Sequence, residues 1–452
     1  MASVEAIEGL RASFSGEVLT PGDAGYDEAR RIHNGLIDKR PAVIARCTNT
    51  ADVVDAVRVG RDAGLEISVR GGGHNPAGRA VTDGGLMIDL SLMRGIRVDP
   101  ARRTALAQPG LTWREFNRAT AVHGLATTGG VVSTTGIAGL TVGGGLGWAM
   151  ARYGMAVDNL QSVEIVTADG SVLTAAEDEN PDLFWAVRGG GGNFGVVTWF
   201  EYRLHPLAMV TGGLIAHPFE AAGEVLRFYR DFTADVGDDL TVFCGLVHAP
   251  DGSGMKLAAL VVCHLGSPEE AEADLAPLRS FGSPVMMEVA PMPYPVVNSL
   301  LDGGFPKGAL NYWKSGFLAG LSDDAIVTLA GRFAEAPSPM SGIVVEHFHG
   351  AVTRVDPLAT AFPHRERGYN MLVAAEWMDP TLNEENILWA KATLEAMTPY
   401  LRGTRYVNYL GDDEAAGSVQ AAYGPVYDRL VEVKRRYDPD NVFRLNQNID
   451  PG

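Results

Sequence analysis

The six residues Arg70-Gly71-Gly72-Gly73-His74-Asn75 decide how this chain is best interpreted. Residues 65–69, just before them, have the composition of a short strand, so the three glycines lie where that strand ends. Glycine has no Cβ, which permits positive φ angles and lets backbone N–H groups approach an anion closely. The stretch therefore predicts an anion-binding loop that ends in a histidine. A plain turn with a structural histidine is an equally open interpretation of these residues alone.

A second glycine-rich segment begins near residue 127. Within nineteen residues it contains eight glycines, which are Gly129, Gly130, Gly136, Gly139, Gly143, Gly144, Gly145 and Gly147. A flexible linker would be polar and rich in serine, whereas here valine, isoleucine and leucine lie between the glycines. We therefore expect a buried backbone that forms a wall against a flat ligand.

Bulk composition restricts the class of protein. The chain has 452 residues, 46% of them hydrophobic and 20% charged, which is typical of a globular protein with two or three domains. Its net charge of −18 argues against partners such as nucleic acid or anionic lipid. No apolar run reaches the length of a membrane span, and the N-terminus does not resemble a signal peptide, so we expect no membrane partner and a cytoplasmic location. Its three cysteines are too few for a disulfide framework or a cysteine-based metal site.

The order of predicted elements in the first half argues against a Rossmann domain. Strands are predicted at 42–45 and 86–90, and helices at 50–62, with Thr50 as cap, and from Thr112, where Glu115 completes a capping box. The pattern Gly190-x-Gly192-x-x-Gly195 follows a predicted helix and precedes a predicted strand. A dinucleotide-binding fingerprint requires the reverse order.

The second half has a different pattern. From residue 207 to 400 long alternating strands, such as 257–262 and 343–355, are separated by alanine-rich helices, of which Ser322 caps one. This pattern predicts an α+β domain in which helices back an antiparallel sheet. One further helix is predicted over 418–437. We expect three segments, 1–206, 207–400 and 401–452.

Seven short motifs occur in order along the chain. They are the loop 70–75, the glycine segment 129–147, Tyr153-Gly154-x-x-x-Asp158-Asn159, Asn180-Pro181-Asp182-Leu183-Phe184-Trp185, Arg188-Gly189-Gly190-Gly191, Tyr406-Val407-Asn408-Tyr409, and Tyr437-Asp438-Pro439-x-Asn441-x-Phe443 with Asn446-Gln447-Asn448. Together they resemble the berberine-bridge-enzyme-like FAD-linked oxidases of the vanillyl-alcohol-oxidase superfamily. The resemblance implies a two-domain α+β fold of the PCMH type. In it, segments 1–206 and 401–452 bind FAD and segment 207–400 places its sheet over the isoalloxazine ring.

The resemblance also implies the cofactor site. Its residues would be Arg70, Gly71, Gly72, Gly73, His74, Asn75, Gly78, Gly129, Gly130, Thr134, Thr135, Gly136, Gly139, Leu140, Gly144, Gly147, Val196, Asn446 and Asn448. His74 would bond covalently to the 8α-carbon of FAD.

Two positions depart from the family pattern. Val132 stands where many members carry a second flavin-linking cysteine, so we expect attachment through His74 alone. Thr135 stands where a small valine marks many oxidases of the family. Molecular oxygen is still the expected electron acceptor, and a hydroxyl at this position could also steer how oxygen adds to the flavin.

Three residues are candidates for the chemical step. Tyr409 is the first candidate for base or proton relay, although a tyrosine with a pKa of about 10 needs help from a neighbour, and Tyr406 is expected to shape the pocket. Glu346 lies on an otherwise apolar strand, where it is either a buried base or a residue of an exposed face.

The neighbouring polar residues are weaker candidates. His347 and His349 face the other way and could chelate a metal, but no cluster of carboxylates or cysteines completes a site. Asn370 and Glu376 are possible pocket residues, and 312–314 are expected to serve sheet packing.

The sequence therefore predicts an FAD-dependent oxidoreductase for a small-molecule alcohol, amine or biosynthetic intermediate, with hydrogen peroxide as second product. A dehydrogenase with another acceptor, an oxygenating flavoenzyme and a non-catalytic ligand-binding protein are the alternatives. The sequence does not indicate an oligomeric state.

Overall fold

A computed structural model describes residues 4–414 and 417–452 of the chain. The first sheet contains the strands β1 (Glu17–Leu19), β2 (Val43–Arg46), β3 (Ile67–Arg70) and β4 (Leu86–Asp89). Their order is β1-β2-β4-β3, in which β1 is antiparallel to β2 and the other pairs are parallel. The parallel strands are short and mostly buried, as expected for a parallel sheet covered on both faces.

The second sheet is antiparallel. The next strands along the chain are β5 (Ile96–Asp99), β6 (Thr104–Ala107), β7 (Leu125–Ala126), β8 (Leu160–Val166), β9 (Val172–Ala176), β10 (Val196–Arg203) and β11 (His205–Pro206). β7 pairs with β11, and the others form a sheet of order β5-β6-β10-β8-β9. The helices of this half are α1 (Val4–Ser13), α2 (Tyr26–Ala29), α3 (Thr50–Asp62), α4 (Trp113–Ala121), α5 (Ile137–Val142), α6 (Met150–Tyr153) and α7 (Pro181–Val187).

Side-chain caps determine where two of these helices begin. The capping box predicted at α4 is confirmed, because the Thr112 hydroxyl accepts from the Glu115 N–H and the Glu115 carboxylate accepts from the Thr112 N–H. The predicted cap of α3 is wrong by one residue. Asn49 is the cap, and its side-chain oxygen accepts a hydrogen bond from Asp52 N at 3.0 Å.

A third, seven-stranded sheet follows. Its strands are β12 (Met209–Pro218), β13 (Leu240–His248), β14 (Lys256–His264), β15 (Met286–Pro293), β16 (Leu310–Leu318), β17 (Gly342–Phe348) and β18 (Gly368–Trp377). They are antiparallel throughout, in the order β15-β12-β14-β13-β17-β18-β16. The helices between them are α8 (Ala222–Thr233), α9 (Pro268–Ser280), α10 (Tyr294–Val297), α11 (Asp323–Ala334) and α12 (Asn383–Met397).

The two faces of this sheet have different neighbours. On β18, Met371 and Val373 belong to a core shared with α8, α9, α11 and α12, whereas Leu372 and Ala374 face a large cavity. This alternation is the two-residue period of a strand. The predicted α+β fold, with helices backing an antiparallel sheet, is confirmed.

Two predicted elements are wrong in extent. The strand predicted over 343–355 ends at Phe348, because Gly350 turns the chain with a φ of +66° and residues 350–354 form a 3-10 helix. The helix predicted over 418–437 is two helices, α13 (Ser418–Tyr423) and α14 (Tyr427–Tyr437), with a break at Gly424 and Pro425. Proline cannot donate the helical hydrogen bond and disfavours helical geometry in the residue before it.

The end of the chain packs against the first half. The buried Lys434 ammonium of α14 donates to Asn193 O at 2.8 Å and to the Asp438 carboxylate at 2.6 Å. Asn193 in turn donates to Gln447 O and accepts from Ile449 N. In the part of the chain that the structure describes, no helix has the length and apolar composition needed to cross a bilayer.

Candidate functional site

A cavity of about 740 Å³ lies between the glycine-rich loops of the first half and the seven-stranded sheet. One wall consists of residues 71–76 and parts of the segment 131–146. The opposite wall consists of side chains from the sheet, among them Leu214, Phe243, Val261, Trp313, Val344, Glu346 and Leu372. Most of this lining is apolar, so its few polar groups are prominent.

Backbone rather than side chains forms the first wall. A Cβ added to Gly72 would lie 2.5 Å from the N and Cα atoms of Gly136, so the two loops touch through their main chains. A Cβ on Gly139 or Gly192 would meet nothing within 4 Å and would instead project into open space. Gly73 has a φ of +67°, which other residues rarely adopt. The wall therefore presents main-chain groups to a ligand.

His74 lies at the end of the first loop and lines the cavity. Its Nε2 atom is buried and has no hydrogen-bond partner among the described residues. Burial, together with the smaller influence of the neighbouring His33, lowers the pKa of this imidazole to about 3. At neutral pH the ring is uncharged and carries a nitrogen lone pair.

Arg70 supports this loop from behind. Its guanidinium bonds to both carboxylate oxygens of Asp89, at 2.9 and 2.5 Å, and to Arg31 O at 2.9 Å. Because the Arg70 guanidinium is bound to Asp89 on β4, it holds the end of β3 in place, directly before the glycines.

Glu346 and Tyr409 meet on the sheet side of the cavity. The Tyr409 hydroxyl donates to Glu346 Oε1 at 2.9 Å, and the Asn370 amide donates to Oε2 at 2.7 Å. Burial raises the pKa of Glu346 to about 7, although both hydrogen bonds act to lower it. Burial and the adjacent carboxyl raise the pKa of Tyr409 well above its usual value.

Tyr406 has a different set of partners. Its hydroxyl oxygen accepts from Gly145 N and from the Asn408 amide, both at 2.9 Å, and burial raises its pKa to about 12. Its ring lies at a right angle to that of Phe362 and close to that of Tyr409. Tyr406 thus joins the glycine segment to the turn that carries Tyr409.

Comparisons with known proteins agree with this geometry. Residues 41–176 match the family model described as "FAD binding domain", and residues 405–450 match "Berberine and berberine like". An (R)-6-hydroxynicotine oxidase from Paenarthrobacter nicotinovorans is 36% identical, over 97% of this chain and 97% of its own length.

The chain belongs to the berberine-bridge-enzyme-like FAD-linked oxidoreductases. Solved structures agree with this assignment. The crystal structure of 6-hydroxy-D-nicotine oxidase from Arthrobacter nicotinovorans has a TM-score of 0.89 at 34% identity and covers 97% of this chain and 99% of its own. BBE-like 1 from Physcomitrella patens, at 24% identity, covers 97% of both chains and has the same fold with a TM-score of 0.86. The predicted family, the FAD cofactor and the oxidoreductase function are confirmed.

The structure of this flavoenzyme fits FAD independently of the comparisons. Two buried polar atoms of the cavity lining have no partner within residues 4–414 and 417–452, namely His74 Nε2 and Asn446 Oδ1. Buried polar groups are almost always hydrogen-bonded, so two such atoms on the lining of one cavity indicate a polar ligand. The glycine wall beside them offers main-chain groups of the kind that bind a diphosphate.

The predicted cofactor residues fall into two groups in this flavoenzyme. Those that line the cavity are Gly71, Gly72, Gly73, His74, Asn75, Thr135, Gly136, Gly139, Leu140, Val196 and Asn446. The others lie outside the lining and are Arg70, Gly78, Gly129, Gly130, Thr134, Gly144, Gly147 and Asn448. Several of these pack against protein, as Gly129 does against Trp113 and Gly78 against Ile37. For both groups, contact with the cofactor stays a prediction.

Of the side chains named on the sheet wall, the sequence predicts only Glu346 as a site residue, and the most informative of the others is Trp313. The sequence predicts only sheet packing for Trp313, but it lines the cavity, and its ring meets that of Tyr409 edge-on at 5.8 Å. Its indole N–H donates to Asn311 Oδ1 at 3.2 Å. The alternating pattern of 310–318 places 311, 313 and 315 on one face but does not show which face lies over the cavity.

The remaining polar candidates lie away from the cavity lining. His347 and His349 stack on each other at 4.4 Å on the helix side of the sheet, and burial lowers the pKa of both rings. Glu376 is fully buried, and its pKa is raised to about 8 by burial. Asn370 reaches the site only through Glu346.

Proposed function

We propose that this flavoenzyme is an oxidase that removes hydrogen from a carbon bearing an amine or a hydroxyl group in an apolar substrate. The observation that supports this proposal is the Tyr409–Glu346 pair, because it places an ionisable carboxyl in an apolar cavity whose other wall fits FAD. Bound FAD supplies the two-electron acceptor.

Glu346 is the proposed proton acceptor. Tyr409 donates its hydroxyl proton towards Glu346, so the carboxylate is the basic member of the pair. A pKa near 7 lets Glu346 accept a proton at neutral pH, whereas Tyr409 would need a far higher pH to lose its own. We therefore assign Tyr409 to orienting the carboxylate and lowering its pKa.

The substrate wall supports an apolar substrate. Leu214, Phe243, Val261, Val344 and Leu372 face the cavity, and a sugar would leave its hydroxyl groups without partners against these side chains. The named activity of the 36% identical relative, oxidation of (R)-6-hydroxynicotine, makes cyclic amines the first compounds to assay. Peroxide release with apolar amines or alcohols, and none with oligosaccharides, is the expected result.

Molecular oxygen is the proposed electron acceptor, which makes the enzyme an oxidase. A dehydrogenase that passes electrons to another acceptor is the second candidate. Thr135 lines the cavity at the position where many oxidases of the family carry valine, and this difference favours neither. Reducing the enzyme with substrate without air and then adding air separates the two. Fast return of the flavin colour supports the oxidase, and slow return supports the dehydrogenase.

Attachment of FAD through His74 is the proposed way in which the cofactor is held. Val132 lines the cavity where a second linking cysteine stands in many relatives, so one bond is expected. Trichloroacetic acid should precipitate the wild-type protein with its flavin. The His74→Ala variant should release all its FAD into the acid supernatant, and flavin that stays with this variant would contradict the assignment.

The division at residues 206 and 400 is also a proposal. The bonds of Asn193 to Lys434, Gln447 and Ile449 support the return of segment 401–452 to the FAD-binding half. A cytoplasmic location stays a prediction of the sequence.

A further inference from the structure

The ring of His33 lies flat against the ring of His74. The two ring centres are 3.8 Å apart, and the planes differ by 22°. The sequence motifs include His74 but not His33, which precedes it by 41 residues. His33 is therefore a second imidazole at the proposed attachment site, and neither the motifs nor the catalytic pair accounts for it.

The chain around His33 is bound tightly to the His74 loop. His33 N donates to Gly73 O at 2.9 Å, and Asn34 Nδ2 donates to Pro76 O at 2.8 Å. Arg70 Nη1 donates to Arg31 O at 2.9 Å. Residues 31–34 thus form a strap that follows the loop from the start of its glycines to the residue beyond Asn75.

The same strap is also hydrogen-bonded to residues at or just before the start of β16 in the seven-stranded sheet. Gly308 N donates to His33 O, and Asn311 N donates to Asn34 Oδ1, both at 2.9 Å. With bonds on both sides, the backbone of His33 has little freedom to move away from His74. These bonds keep the backbone of His33 next to the His74 loop.

The stacked geometry restricts what His33 does. The N–H bonds and lone pairs of an imidazole lie in the plane of its ring, so two rings that lie face to face cannot exchange a proton through a direct hydrogen bond. Both rings are uncharged at neutral pH, because burial lowers the pKa of His33 to about 4 and that of His74 to about 3. His33 consequently acts on His74 through contact and orientation.

We propose that His33 is a positioning residue for covalent flavin attachment, and that its ring holds the plane of His74 so that a ring nitrogen is directed at the 8α-carbon of FAD. The inference rests on the attachment through His74 proposed above. It assigns a role to a residue outside the glycine loop.

Attachment removes two electrons and two protons from the flavin and His74 together. One C–H bond of the 8α-methyl group breaks, the ring nitrogen of His74 that carries the lone pair forms a C–N bond to that carbon, and the other ring nitrogen loses its N–H proton. The two electrons and two protons that are released pass to molecular oxygen, which becomes hydrogen peroxide. His33 is unchanged by this step.

The rate of attachment in the full-length protein tests the proposal. Apo-protein from riboflavin-limited cells is mixed with FAD in air, samples are quenched in trichloroacetic acid, and flavin in the pellet is measured over time. Since a stacked aromatic pair is worth a modest energy, His33→Ala should attach FAD about two- to tenfold more slowly than wild type. His33→Phe keeps a flat ring and should attach FAD at close to the wild-type rate.

Two controls separate stacking from other causes. His205 also stacks on an aromatic ring, that of Tyr153 at 3.9 Å, but lies outside the cavity lining, so His205→Ala should leave the rate unchanged. His33→Gln keeps polar character without a ring and replaces the alanine variant if that one does not fold. It should be slow.

The outcomes are distinct. Wild-type rates in both His33→Ala and His33→Gln would overturn the positioning role, and so would a His33→Phe variant as slow as these two, since an imidazole rather than a flat ring would then be required. Wild-type protein without acid-resistant flavin would instead overturn the attachment proposal itself.

Discussion

The two walls of the cavity act through different parts of the polypeptide. The glycine wall presents main-chain groups, and its shape depends on atoms that are absent, as where Gly72 touches Gly136. The sheet wall presents side chains, and its chemistry depends on contacts such as that of Tyr409 with Glu346. Replacing a glycine by alanine should therefore disrupt the shape of the first wall. Replacing a carboxylate oxygen by an amide nitrogen should instead disrupt the chemistry of the second wall.

The two walls also differ in how far apart their residues lie in the sequence. Residues 71–76 are contiguous, so one short segment positions them all. Glu346 and Tyr409 are 63 residues apart, and Trp313 comes from yet another strand. Single substitutions on the sheet wall can therefore alter the substrate preference of the enzyme while the cofactor wall stays intact.

The largest effect is expected for Glu346→Gln, which removes the proton acceptor but keeps the size of the side chain. Loss of a general base should lower kcat/KM by about 10²–10⁴-fold. The acid-resistant flavin content should stay at the wild-type level, because the change lies on the sheet wall. Steady-state peroxide assays and acid precipitation measure the two quantities.

Glu376→Gln is the matched control for this variant. Glu376 is likewise buried in the sheet with a raised pKa, but it lies outside the cavity lining. Its kcat/KM should stay close to wild type. Equal losses in both variants would show that any buried carboxyl of the sheet matters, and would remove the special role of Glu346.

A smaller effect is expected for Gly72→Ala, on the other wall. The new Cβ would lie 2.5 Å from backbone atoms of Gly136, so the loops must separate, at a cost of about 1–3 kcal/mol in the free energy of unfolding. FAD content should fall with it. Denaturant unfolding and the ratio of flavin to protein measure both effects.

Gly331→Ala supplies the contrast. A Cβ at this position of α11 meets nothing within 4 Å, and alanine favours a helix over glycine by roughly 0.5–1 kcal/mol. This variant should be at least as stable as wild type and should keep its flavin. A Gly72→Ala variant with normal stability and full flavin would break the distinction between the two walls.

The glycine wall could be predicted from sequence because its signal is local. A run such as Gly71-Gly72-Gly73 indicates an anion-binding loop or a turn, and the interleaved apolar residues of the second segment argue against a linker. Glu346 was recognisable as a carboxylate within an apolar strand. The break at Pro425 also has a signal in the sequence, because proline in a helix interior is costly. The single helix predicted over 418–437 disregards this signal.

The partners of the sheet wall could not be predicted in the same way. The contact between Tyr409 and Glu346 depends on the end of β17 and on the turn 407–409, which are distant in sequence. Which face of β16 lies over the cavity depends on the packing of the helices behind the sheet, so Trp313 carried no distinguishing signal. His33 carried none either, because a single histidine outside any motif does not reveal what its ring rests on.

The smallest effect is expected for Tyr409→Phe. The Tyr409 hydroxyl lowers the pKa of Glu346, so its loss should raise that pKa from its value of about 7. The base must be deprotonated, and kcat/KM should therefore rise with pH in both proteins, with the midpoint of the variant shifted upwards by about one unit, as expected for one hydrogen bond to a charged group. Tyr406→Phe is the control, since the Tyr406 hydroxyl bonds Gly145 and Asn408 rather than Glu346, and its midpoint should not move. An unshifted profile in Tyr409→Phe would mean that the observed titration belongs to a group other than Glu346.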